Sequence, residues 1–157
     1  MTYRITGLAP EAFTRFFAAS AEELEANGAR RVIADAKPGF PCRVTLQDAE
    51  PGEELILLHH VSHDVETPYR SAYAIYVRRD AAEAADYVDA VPPVFEGRPL
   101  ALRGFGKDGM LKAAMLALPG EADARIRDMM GLEAISYIDV HNAAHGCFAA
   151  RVRRHGV

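Results

Sequence analysis

The sequence predicts an α+β domain, in which N-terminal helices and one late helix pack against a mostly antiparallel sheet. Three observations indicate this class. The length of 157 residues fits a single domain, residues 1–157, that can bury a core. Short apolar segments rich in β-branched and aromatic residues recur along the chain and are separated by Gly and Pro. Capping and helical periodicity occur in only a few places.

The N-terminal part of the chain predicts a strand followed by two helices. Residues 3–6 form a short β pattern. Three Phe side chains at helical spacing predict a helix over residues 11–19 whose aromatic side chains pack in the core. Ser20-Ala-Glu-Glu23 is a capping box, which predicts a second helix that runs to about Asn27.

The remainder of the chain predicts the sheet and the late helix. Turn sequences such as Pro-Gly separate the strands. The predicted strands cover residues 31–34, 42–46, 54–60, 72–77, 100–105, 110–118, 134–141 and 147–153. Residues 80–93 are rich in Ala and acidic residues and predict a short helix and a loop. Residues 121–130, which precede Gly131, predict the late helix.

Composition narrows the classes of function. The net charge of -4 argues against general nucleic-acid binding, which depends on neutralising phosphates. The N-terminus has no signal-peptide pattern, and no apolar run is long enough to cross a bilayer, so we expect no membrane association. The two Cys residues cannot form a disulfide framework, so we expect a cytoplasmic protein with reduced thiols and no cofactor.

The segment from Tyr137 to Arg151 concentrates reactive side chains in an otherwise apolar stretch. Its helical spacing leaves a helix as an alternative, but the β-branched run and Gly146 favour a hairpin. If one face of the hairpin is apolar, the loop has an odd number of residues and covers residues 142–146. His141 is then directly opposite Cys147, with Asp139 on the same face. The apolar face would contain Ile138, Val140, Phe148, Ala150 and Val152.

This geometry predicts a catalytic group. Cys147 would be the nucleophile, His141 the base and Asp139 the group that orients the imidazole. The alternative is an inert buried thiol, which is the commoner role of a free Cys. A zinc site that uses His141 and His145 with Cys147 or Cys42 is a weaker alternative, because the spacing matches no strong zinc motif; we therefore predict no metal.

Other polar residues at predicted strand ends indicate a binding site. Cys42 and Arg43 begin one strand after a Pro-Gly loop, and Tyr69 and Arg70 lie in another loop. With Asn142, they are the predicted ligand-binding residues. Arginine suits a carboxylate or phosphate, although these Arg residues could instead cap loop carbonyls or pair with surface acids.

The same residues carry a resemblance to a known family. The sequence segments that carry it are Phe40-Pro-Cys-Arg43, Ala49-Glu-Pro-Gly-Glu53, Thr67-Pro-Tyr-Arg70, Val140-His-Asn-Ala143 and Gly146-Cys-Phe-Ala-Ala-Arg-Val152. The chain resembles, over essentially its whole length, a bacterial family catalogued as domain of unknown function 1203. The resemblance implies Ser in place of Thr67 and often His in place of Asp139. It implies no activity, but it draws attention to the same Cys, His and Arg positions.

These observations support three hypotheses for function. The first is a binding protein for a small molecule, with an anionic ligand favoured by the arginines. The second is a thiol-dependent enzyme that uses a Cys-His pair. The third is a structural or partner-binding protein without a pocket. A cluster of the predicted residues around one concave pocket would distinguish the first two from the third.

Overall fold

The computed structural model describes residues 1–156 and confirms the α+β class. Its strands form two antiparallel sheets, whereas the sequence predicted one. The strands are β1 (Thr2–Thr6), β2 (Arg30–Ile33), β3 (Glu54–His63), β4 (Ser71–Arg78), β5 (Asp86–Val88), β6 (Leu100–Phe105), β7 (Leu111–Ala117), β8 (Tyr137–Asn142) and β9 (Phe148–His155). The α-helices are α1 (Thr14–Ala18), α2 (Ala21–Ala26) and α3 (Ala122–Met130), and short 3-10 helices cover Pro10–Ala12 and Pro93–Phe95.

The larger sheet has six strands in the order β5-β1-β9-β8-β6-β7. Helix α3 packs on it through Ile126, Met129 and other apolar residues that are almost fully buried. Gly104 in β6 permits this approach, because a Cβ there would lie 2.8 Å from Met129 Sδ and 2.7 Å from Ile135 Cδ1. Helix α3 therefore confirms the predicted late helix and its packing against the sheet. Within residues 1–156, none of the helices is long and apolar enough to span a lipid bilayer.

The smaller sheet has the order β2-β3-β4 and packs against the N-terminal helices. The predicted helix over residues 11–19 is instead a 3-10 turn followed by α1, but Phe13 and Phe16 are buried as expected. The capping box of α2 is confirmed. Ser20 Oγ accepts a hydrogen bond from Glu23 N at 3.1 Å, and the Glu23 carboxylate accepts one from Ser20 N at 2.8 Å.

The prediction of a short helix within residues 80–93 was wrong, whereas the predicted loop is present on both sides of a strand. Residues Asp86–Val88 form β5, which pairs with β1 at the edge of the larger sheet. The Asp86 carboxylate also accepts hydrogen bonds from the Arg4 guanidinium. This partner lies about 80 residues away in the chain, so local helix propensity carried no information about it.

The prediction of a strand over residues 42–46 was also wrong, because this segment makes only an isolated bridge with β4. Leu46 has a φ of 53°, which ends extended backbone there. Cys42 and Val44 pack in the core of the smaller sheet, and Leu46 packs in the core of the larger one. The segment thus links the two cores. Gly7 crosses it so closely that a Cβ would lie 1.9 Å from Val44 O.

The β8–β9 hairpin confirms most of the predicted apolar face but not the predicted register. Ile138 pairs with Val152, and a register irregularity after Val140 sets His141 against Phe148 instead of Cys147. Up to Val140 the pairs differ from the prediction by two residues, which apolar patterning does not distinguish. The irregularity then sets Phe148 opposite His141, and Phe148 does not pack in the larger core. A turn closed by the hydrogen bond from Asn142 N to Cys147 O, 2.9 Å, decides the register. Four of the five residues predicted for the apolar face lie in the larger core: Ile138, Val140, Ala150 and Val152.

Candidate functional site

An open cavity of about 490 Å³ lies where the segment that links the two cores meets the β8–β9 turn. Three of the predicted site residues line it: Arg43, Asn142 and Cys147. These residues come from parts of the chain about 100 positions apart, and the fold brings them together. Further lining residues are Tyr73, Tyr76, Arg98 and His145.

Arg43 is held in the cavity wall by contacts of both its backbone and its side chain. Its backbone N donates to Tyr76 O at 3.0 Å and its carbonyl accepts from Leu8 N at 2.8 Å. Its side chain is 1% exposed, and Nη2 donates to Cys147 Sγ at 3.3 Å. Nε and Nη1 have no acceptor within residues 1–156. Burial lowers the pKa of this guanidinium, since a charge removed from water is costly unless it is paired.

The nearby carboxylate of Asp48 does not pair with Arg43. Both Asp48 oxygens accept hydrogen bonds from the Arg98 guanidinium, at 2.6 and 3.0 Å. Arg98 therefore has its own anionic partner, whereas Arg43 has only a thiol. The cavity wall retains an unneutralised positive charge.

Cys147 is a free, partly exposed thiol at the wall of the same cavity. Its sulfur accepts hydrogen bonds from Arg43 and from Asn142 Nδ2, the second at 3.4 Å. Asn142 is 6% exposed, and its Oδ1 has no donor among the described residues. The thiol is thus next to a cation and an amide, and the amide leaves one acceptor free.

A second cavity, of about 450 Å³, adjoins the first, because both are lined by Tyr73 and His145. Its wall contains His141, Arg70 and Arg103. Arg70 is exposed and pairs with Asp64 at 3.2 Å. Together the two cavities form a groove whose charged lining residues are arginines.

His141 lies in the second cavity and does not bind Cys147. Its Nδ1 is 2.9 Å from Gly146 O, and because a carbonyl only accepts, Nδ1 carries the proton. Its Nε2 is 3.4 Å from Arg103 Nη1 and therefore accepts. Burial is the main cause that lowers the pKa of His141, and the nearby Arg103 lowers it further. The imidazole is consequently neutral, and its partner is an arginine.

The lowered pKa of His141 predicts a loss of stability in acid. The unfolded chain takes up a proton near pH 6.5, before the folded chain does, so the free energy of unfolding decreases as the pH falls below about 6.5. His60, whose pKa burial also lowers, contributes in the same direction. We expect His141→Gln to lose less stability than the wild type between about pH 7.5 and 5.5. Urea unfolding at both pH values measures this difference. The exposed His59→Gln is the control, and equal losses in His141→Gln and the wild type would contradict the assignment.

The contacts of Asp139 do not fit its predicted role of orienting the imidazole of His141. Its fully buried carboxylate accepts two hydrogen bonds from the directly opposite Arg151, at 2.6 and 2.9 Å. Arg151 also donates to Ser62 O at 3.2 Å. Because both oxygens of Asp139 face Arg151, the carboxylate does not orient His141. Its role is to pair with Arg151 inside the sheet.

Two of the predicted ligand-binding residues line neither cavity. Cys42 is fully buried, and its sulfur accepts backbone hydrogen bonds from Thr45 N and Arg78 N, at 3.5 and 3.3 Å. The carbonyl of Tyr69 accepts from His63 Nδ1 at 2.8 Å. The thiol of Cys42 is a core group that satisfies two backbone N–H groups, whereas its neighbour Arg43 reaches the cavity.

Sequence reasoning missed four charged or aromatic residues of the two cavities: Tyr73, Tyr76, Arg98 and Arg103. Arg103 carried a signal, because it is the one charged residue in the otherwise apolar strand β6. Tyr73 and Tyr76 were placed on a strand but were given no role. Arg98 carried no local signal, since its position depends on Asp48, 50 residues earlier. Within the part of the chain that the structure describes, no group of three or more His, Cys, Asp or Glu could hold a metal ion.

Comparisons with known proteins agree with the resemblance drawn from the sequence. The model of a family described as "Protein of unknown function (DUF1203)" matches residues 39–154. The matched region contains both cavities' predicted site residues, from Arg43 to Cys147. Neither the search of curated proteins nor that of solved structures found a match.

Proposed function

The chain belongs to the DUF1203 family, whose description names no activity, and we propose from its site geometry that it binds a small anionic molecule. One observation carries the proposal: the guanidinium of Arg43 is buried at the wall of a cavity without a carboxylate partner. Proteins rarely bury a charge unless it is paired. A ligand with a carboxylate or phosphate group would supply the missing negative charge.

The surroundings of Arg43 support the same class of ligand. Arg98 and His145 line the same cavity, and Arg103 lines the adjoining one. The amide oxygen of Asn142 offers an acceptor for a hydroxyl or amino group of the ligand. Such a ligand would have an anionic group near Arg43 and a polar remainder that extends toward the second cavity.

The volumes of the cavities suit a metabolite rather than a polymer. Cavities of about 300–1,000 Å³ are typical of small-molecule sites, and the first cavity lies within this range. We also propose that the protein works in a reducing compartment such as the cytoplasm, because both thiols are free and Cys147 is partly exposed. We propose neither nucleic acid nor a membrane as its partner.

A thermal-shift titration with inorganic phosphate and with succinate, at constant ionic strength, tests the proposal. At about ten times the dissociation constant, an anion bound to the folded state contributes about 1.4 kcal/mol. For a chain of this size we expect the melting temperature to rise by roughly 3–6 °C. Arg43→Gln should abolish the shift, because it removes the unpaired charge.

Two controls define the outcome of that titration. Arg125→Gln removes a partly exposed arginine of α3, and with it the same charge, without touching either cavity, so its shift should equal that of the wild type. The second control is a titration with choline chloride in place of sodium phosphate or sodium succinate, at the same ionic strength. It should not change the melting temperature. The proposal is wrong if neither anion raises the melting temperature, or if Arg43→Gln responds as the wild type does.

A further inference from the structure

The sulfur of Cys147 has the surroundings of a nucleophile, although its partner is not the histidine that the sequence predicted. Two N–H groups, from Arg43 Nη2 and Asn142 Nδ2, donate to Sγ at 3.3 and 3.4 Å. Hydrogen-bond donors and a nearby positive charge stabilise an anionic sulfur, which is the reactive form. The hydrogen-bond partners of Sγ within residues 1–156 are thus a guanidinium and an amide, and neither is a carboxylate.

Access distinguishes Cys147 from the other thiol of the chain. Cys147 is partly exposed and lines the first cavity, whereas Cys42 is fully buried in the core of the smaller sheet. A molecule in the cavity can therefore reach only one sulfur. This makes Cys42 an internal control for reactivity in the folded protein.

Arg43 has a second feature that indicates a ligand in this cavity. It is 1% exposed, and two of its three nitrogens lack an acceptor among the described residues. The same guanidinium that contacts Sγ is therefore also the unneutralised charge of the cavity. An anionic group attracted to Arg43 is held within a few ångströms of the sulfur, and its neighbouring atoms are then in position for attack.

We propose that Cys147 attacks small organic acids that carry an electrophilic carbon next to the acid group, while Arg43 holds that group. This inference rests on the proposed function at the same cavity. In the step, the thiol proton goes to solvent and the sulfur electron pair forms an S–C bond. The bond from that carbon to its leaving group breaks, and the leaving group departs with the bonding pair. No oxidant or reductant takes part.

The experiment compares two alkylating reagents that have the same shape but different charge. Iodoacetate carries a carboxylate and iodoacetamide a neutral amide, and both form an S–C bond with release of iodide. We expect the rate ratio of iodoacetate to iodoacetamide at Cys147 to exceed that of N-acetylcysteine about tenfold, equivalent to about 1.4 kcal/mol. Intact-mass kinetics with peptide mapping measure the ratio and the labelled residue.

Substitutions of Arg43 test whether this residue causes the preference for iodoacetate over iodoacetamide. Arg43→Gln should lower the ratio to that of N-acetylcysteine, and Arg43→Lys, which keeps the charge, should retain part of it. Circular dichroism spectra of both variants should match that of the wild type, which checks that they fold. Cys147→Ser should take up no label in the folded state, because Cys42 is buried. A ratio that survives in Arg43→Gln would overturn the role of the arginine.

Different results would disprove the nucleophilic role of Cys147 and the binding of anions in the cavity. If neither reagent labels Cys147 in the folded protein, the nucleophile is disproved. Cys147→Ser, tested for a phosphate- or succinate-dependent rise in melting temperature, then reports on anion binding alone. A shift in that variant would leave the binding function intact, and its absence together with unreactive Cys147 would overturn both.

Discussion

Replacing Arg151 with Met is expected to lower the free energy of unfolding by about 3–5 kcal/mol. Asp139 is fully buried, and both of its oxygens accept hydrogen bonds from Arg151. The substitution leaves a carboxylate in the sheet without a partner, and removal of one member of a buried ion pair costs more than the pair contributes. Arg151 also covers the Tyr137 ring at 4.5 Å, so packing is lost as well.

Chemical denaturation of three variants tests this expectation. Arg153→Met removes an exposed arginine two residues along the same strand and should change the free energy of unfolding little. In the double variant Asp139→Leu with Arg151→Met no charge is buried, and we expect it to recover much of the loss. Equal effects of the substitutions at 151 and 153 would show that the pair does not stabilise the sheet.

Replacing Arg43 with Met is expected to have the opposite effect on stability. In the ligand-free protein the free energy of unfolding should rise by about 1–3 kcal/mol, because a buried cation without a carboxylate partner is removed. The apolar side chain of Met has a similar length and can pack against the neighbouring core. A residue that lowers stability where it stands is typical of a binding site.

The measurement is urea unfolding of the wild type and Arg43→Met in a buffer without phosphate or carboxylate. Arg98→Met is the matched control, since it removes an arginine from the same cavity but leaves Asp48 without its partner. That control should be destabilised. If Arg43→Met is destabilised to the same extent, Arg43 is a structural residue and the unneutralised charge is not the basis of a site.

The candidate site shows which kinds of inference the sequence permits. Reactive side chains at predicted strand ends indicated Arg43, Asn142 and Cys147, and these do line one cavity. The pairing of Cys147 with His141 failed because it depended on a register that the turn determines. Only the folded chain shows that the thiol contacts an arginine from a segment 104 residues earlier.

The sequence by itself determined the α+β class, the late helix, the capping box and most of the apolar face of the last hairpin. These features depend on spacing of 2 or 3.6 residues and on short motifs, which are local properties of the chain. The tertiary structure alone decided the division into two sheets, the edge strand Asp86–Val88 and the partners of each charged residue. Arg43 faces Cys147 because segments 104 residues apart meet there, and Asp139 faces Arg151 because the register of the last hairpin pairs them. Burial and ion pairing depend on those meetings, and no local pattern encodes them.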